Sequence, residues 1–139
     1  MTSSQPVTTP DSLIFTPDNK NCFAYSGGYG GSTAGVTALS FSTQSEYIIG
    51  EFHLCVGLQD GSASSCASYA QIKFNNLLIG NLWAGMGGAD AMSIATIKLI
   101  IPPFTEVTGF MYSDENQSAR KQTLSFVGEA VGMTTTGYQ

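Results

Sequence analysis

Charge is what this chain has least of. Ten acidic and five basic side chains are spread over 139 residues, or 11%, where soluble domains average about 25%. A free-standing surface is usually about 25–35% charged, because charge keeps molecules apart. Here Ser, Thr, Gly, Asn, Gln and apolar residues must supply the surface instead. Charge is depleted at interface cores, so the deficit points to a subunit whose surface is largely covered by other protein. The basic residues, Lys20, Lys73, Lys98, Arg120 and Lys121, form no stripe, and the net charge is −5. Phosphate-backbone binding therefore lacks electrostatic support, and anionic membrane surfaces are disfavoured for the same reason. Long apolar runs are missing too. The longest, Ile97 to Phe104, holds a lysine and two prolines and is too short to span a bilayer. Met1 to Asp11 contain neither a basic nor an apolar stretch, so no secretory signal is expected.

Residues that carry chemistry are equally scarce. The three cysteines, Cys22, Cys55 and Cys66, fit no zinc spacing. If Asp60-Gly61 made a two-residue hairpin turn, Cys55 would lie opposite Cys66, on a rung where Cα atoms sit about 5.5 Å apart. An odd count without an export signal nevertheless favours free thiols. His53 is the only histidine. Glu51, His53 and Cys55 share a strand face, but period-2 neighbours sit about 7 Å apart along a strand. That spacing predicts no direct hydrogen bond and no triad. Gly31 to Gly35 misplaces the serine of a nucleophile elbow. The stretch Ser26 to Gly31 lacks the register, lysine and helix of a phosphate loop. Asp60, Asp114 and Glu115 are turn acids without calcium-loop spacing. Asn116-Gln117-Ser118 is a glycosylation sequon in form only, given no export signal. The chain is therefore read as non-enzymatic, with no catalytic, cofactor-binding or metal-binding residues.

What the chain does have is period-2 alternation between turn signals. Strands are predicted over Val36–Ser42, Tyr47–Leu58, Ser68–Phe74, Leu77–Trp83, Ile94–Ile101, Val107–Tyr112 and Thr123–Val131. Asn75-Asn76 suits a two-residue hairpin turn, because Asn tolerates left-handed backbone. Pro102-Pro103 cannot sit in a central ladder, so one strand should end at Ile101 and another begin near Thr105, crossing between sheets. No amphipathic helix of ten residues is apparent. The expectation is an all-β protein: an antiparallel β-sandwich, jelly-roll-like, with an extended polar N-terminal arm. The arm and the Gly-rich loop take residues 1–35, and the sandwich domain residues 36–139. Trp83, beside Leu82 and Met86, reads first as core and second as a contact anchor. Together with Tyr25, Tyr29, His53 and Tyr112 it completes the candidate interface residues, since aromatic side chains are enriched at contacts.

Several stretches carry a resemblance. The strand ending Ile100-Ile101-Pro102-Pro103, then Phe104-Thr105-Glu106-Val107, a polar loop from Ser113 to Lys121 and the closing Leu124 to Gly132 resemble small jelly-roll virion proteins of bacteriophages. Lys73 to Ile79 resembles their central hairpin. The pattern is similar to capsid decoration (cement) proteins, and it covers roughly Phe41 to Met133. The resemblance implies a non-enzymatic structural subunit, a homotrimer docked on the major capsid protein and on neighbouring copies of itself. It would be made in the host cytoplasm and sit on the capsid surface of the virion, with no nucleic-acid or membrane partner. The rival expectation is a receptor- or glycan-binding β-sandwich head domain, which needs an exposed aromatic cluster with polar partners. Tyr25, Tyr29 and Tyr112 are its candidates.

Overall fold

The computed structural model describes residues 13–15, 20–58, 67–85 and 93–131. All ten elements in them are strands: β1 (Ile14–Phe15), β2 (Asn21–Tyr25), β3 (Tyr29–Gly31), β4 (Val36–Ser42), β5 (Tyr47–Leu58), β6 (Ala67–Phe74), β7 (Leu77–Gly85), β8 (Ser93–Ile101), β9 (Glu106–Ser113) and β10 (Gln117–Val131). Alternation sets their faces. In β5, Ile48, Phe52, Leu54 and Val56 are buried while Glu51, His53 and Cys55 point the other way. In β9, Val107, Gly109 and Met111 face inward and Thr108, Phe110 and Tyr112 outward.

Two antiparallel sheets result. The first runs β1-β2-β10-β5-β8, with β3 also on β10; the second runs β4-β9-β6-β7. The pairings are nested. β2 pairs β10, β4 pairs β9, β5 pairs β8 and β6 pairs β7. This is the order produced when one long hairpin is rolled into two facing sheets, the eight-stranded jelly roll. β6 and β7 form a hairpin at Asn75-Asn76, whose φ angles of 51° and 70° are the two left-handed positions a tight hairpin turn requires. Between β8 and β9 the chain leaves the first sheet for the second at Pro102-Pro103. Thr43 clamps that crossover. Its hydroxyl donates to the Pro102 carbonyl at 2.7 Å and accepts the Thr105 N–H at 2.9 Å.

The core lies between the sheets. Phe126 of β10 packs on Phe52 of β5 at a ring-centroid distance of 4.7 Å and on Phe41 of β4, across the sandwich, at 5.4 Å. Leu39, Ile72 and Met111 of the second sheet and Ile48, Leu54, Ile101 and Leu124 of the first complete it. Each such side chain contributes about 1.5–3 kcal/mol when fully buried.

The sandwich is larger than the sequence pattern suggests. Residues 21–31, expected outside it, supply β2 and β3, and Cys22 and Ala24 enter the core. The predicted polar loop from Ser113 to Lys121 is also shorter, because β10 already starts at Gln117. Its polar residues hide a ladder that β3 and β5 complete on either side. Both cross-strand positions beside Cys55 are occupied. β5 and β6 lie in different sheets, and Cys55 faces Thr123 and Ile94 across its two neighbours. Cys22 and Cys55 are free, while Cys66 lies outside the described residues, as does the polar arm from Met1 to Ser12.

Candidate binding face on the four-stranded sheet

The outer face of the second sheet is a grid of aromatic and amide side chains. Strand register builds it. Trp83 on β7 sits opposite Tyr69 on β6, which sits opposite Tyr112 on β9. The next row holds Asn81, Gln71, Phe110 and Thr37; the one after holds Leu78, Lys73, Thr108 and Ser40. Tyr69 and Tyr112 stack at 4.9 Å with planes 15° apart, and Phe110 follows at 6.1 Å from Tyr112. Beside Phe110 lies a shallow depression of about 310 Å³, lined by Thr37, Gln71, Lys73, Asn76, Thr108 and Phe110.

Two glycines seat the rings. The Trp83 indole leans along β7 over Gly85, where a Cβ would stand 2.9 Å from Cζ2. The indole therefore has backbone beneath it and stays 62% exposed. Phe110 lies over Gly35, where a Cβ would meet Cζ at 2.4 Å; Gly35 also has φ +77°, which side chains resist. Trp83 is thus a surface residue, against the first reading of it as core. Leu82 and Ala84 take the inward positions on either side of it.

The other candidates are dispersed. Tyr25 is exposed on β2 in the first sheet, with Phe23 against its ring at 4.9 Å. It borders a separate groove lined by Ser26, Gly27, Gly28 and Thr123. Tyr29 is half-buried on β3 and packs on the core. The tyrosines Tyr25, Tyr29 and Tyr112 therefore form no cluster, since the sandwich separates the first two from the third. His53 is half-buried on the outer face of the first sheet. Its Nε2 lies 3.2 Å from Glu51 Oε1, although period-2 spacing predicted no contact. Backbone spacing fixes only the Cβ separation, and these two long side chains lean toward each other across it. Ser125 and Thr96 are the cross-strand neighbours of His53, so the pair meets no nucleophilic thiol or second carboxylate in register. Sequence reasoning passed over Tyr69, Phe110, Gln71 and Asn81. The available signal was their phase: they fall on the outward set of strands whose other set is small or aliphatic.

Chemically, this face can stack on planar or C–H-rich rings and bond their polar rims. Among the described residues no three His, Cys, Asp or Glu side chains gather to hold a metal ion, and no helix is long and apolar enough to cross a membrane.

No protein-family description and no curated protein matches the chain. Among solved structures it is similar to dimeric latent PorU from Porphyromonas gingivalis, with 11% identity over 86% of this chain and a TM-score of 0.41. The chain spans only 13% of the PorU chain. It is also similar to a CBM35 from Cellvibrio japonicus Abf62, with 14% identity, 91% of this chain and 76% of that chain covered, and a TM-score of 0.36. Neither likeness bears on function at these scores.

Proposed function

We propose that this jelly-roll chain is a non-catalytic binding module and that the outer face of its second sheet takes carbohydrate. The observation that carries the reading is Trp83: an indole open to solvent, in register with the Tyr69–Tyr112 stack. A sugar ring has a C–H-rich face and a rim of hydroxyls. The indole suits the face, and the neighbouring Asn81 and Gln71 amides suit the rim, each offering both donors and an acceptor. The test is affinity electrophoresis through gels containing soluble polysaccharides. Trp83→Ala should lose at least about 1.4 kcal/mol of binding, or tenfold, with melting unchanged because the ring is outside the core. Retardation that is equal in wild type and Trp83→Ala would overturn the reading.

A second reading, the capsid decoration subunit, is favoured by a different observation. Ile94 and Ile100 on the outer face of edge strand β8 are 61% and 59% exposed, and Leu77 at the start of edge strand β7 is 68% exposed. Aliphatic edges of this kind are templates for association. A homotrimer seated on a shell would cover them, and both readings are compatible with one virion head domain.

A further inference from the structure

We propose that the depression beside Phe110 selects an acidic group on the ligand, so that the carbohydrate this face takes is a uronic-acid or similar carboxylate-bearing oligosaccharide. The inference rests on the carbohydrate reading of the face and adds to it the charge of the ligand. Its ground is Lys73. The chain carries a net charge of −5, yet this half-buried lysine forms no ion pair with any described carboxylate. Lys73 lines the depression with Gln71, Asn76 and Thr108, which supply donors but no negative charge.

Its position is built by the fold. The register between β6 and β7 shifts between Ile72 and Lys73, leaving Ile79 as the extra residue on β7. Such bulges re-aim side chains and favour functional sites. Two residues after Lys73, the Asn75 side chain accepts the Glu106 N–H at 2.9 Å, which fixes the turn next to the depression. The carboxylate of Glu106 is two residues along β9 from Thr108, the cross-strand partner of Lys73. It borders a different depression, with Ser40, Ser42 and Gln44, and its negative charge repels an anion at Lys73 toward the Gln71 and Phe110 side. That places the anion on the same strip as the aromatic rings. Tyr69 and Lys73 are four residues apart along β6, or about 13 Å, so the ligand must span several sugar rings to touch both ends.

The experiment compares oligogalacturonate and oligoglucuronate, each as the free acid and as its methyl ester, by calorimetric titration against wild type, Lys73→Ala, Lys73→Arg and Trp83→Ala. The ester keeps the ring and removes the charge. Free acid should bind wild type about tenfold tighter than ester, the scale of one charge-assisted contact, and the advantage should shrink with added salt. Lys73→Ala should bind acid and ester alike, Lys73→Arg should keep the preference, and Trp83→Ala should weaken both. Equal affinity for acid and ester in wild type, or a preference that survives Lys73→Ala, would overturn the selection of an acidic group while leaving carbohydrate binding intact. If neither form binds wild type, this inference fails, and retardation in the polysaccharide gels decides separately whether the carbohydrate reading stands.

Discussion

At the scale of single residues, environment decides chemistry more than identity does. Cys22 and Cys55 are both free thiols, yet they differ in access. Cys22 is buried in β2, and its thiol is pushed up from 9.0 to about 11, first by burial and then by the nearby Glu46 carboxylate. Cys55 is half-buried on an outer face. The thiolate is the reactive form, so in a Cys66→Ser background a disulfide reagent at pH 8 should label Cys55 well before Cys22. Peptide mass mapping with equal labelling of the two would contradict this. The same shift has a stability consequence. Between 9.0 and about 11 the unfolded chain has lost a proton that the native chain keeps, so the unfolded state binds fewer protons there. Stability from this group is whole below pH 9 and falls as pH rises through that window. Trp83 shows why single residues were hard to place from sequence: Leu82 and Trp83 are both apolar, so alternation alone leaves the phase of β7 undetermined. Gly80, which would meet Ile97 of the opposite sheet if it carried a Cβ, fixes that phase only once the sheets are packed.

At the scale of elements, the seven strands from β4 to β10 were legible because each pairs an apolar period with a turn signal. Asn75-Asn76 and Pro102-Pro103 act where those residue types must act. β2 and β3 were not legible. Asn21 to Tyr25 is short, and Tyr29 to Gly31 is mostly glycine; only the long β10, offering its ladder to both, makes strands of them. The face that carries the candidate site was readable as an outward set, Tyr69, Gln71 and Lys73, but its assembly with Trp83 and Phe110 depends on a register that sequence does not print. Packing depth separates two inward positions that alternation treats alike. Phe126 is fully buried between Phe52 and Phe41, whereas Leu99 on edge strand β8 is half-buried. Phe126→Ala should cost about 3–5 kcal/mol and Leu99→Ala about 2 kcal/mol, the low end for such truncations. Urea unfolding checks the order, and equal losses would show that β8 is as deeply packed as β10.

At the scale of the whole molecule, the charge deficit noted in the sequence corresponds to two outer faces of different character. The first sheet shows aliphatic residues, Ile94, Ile100 and Val127, interrupted by Glu51, Lys98 and Glu129. The second shows rings and amides. Light scattering of the intact protein speaks to the first face, where a stable trimer would favour the shell-subunit reading. The central claim concerns the second face, and the chain provides its own reporter there. Trp83 is the only tryptophan, so all indole fluorescence arises at the proposed site. In the free protein its emission should be that of a solvated indole, readily quenched by iodide. Adding an oligosaccharide that retards the protein in affinity gels should shift that emission to the blue and shield it from iodide, with a midpoint matching the calorimetric affinity. An emission spectrum and quenching constant that stay unchanged at saturating ligand would contradict the account.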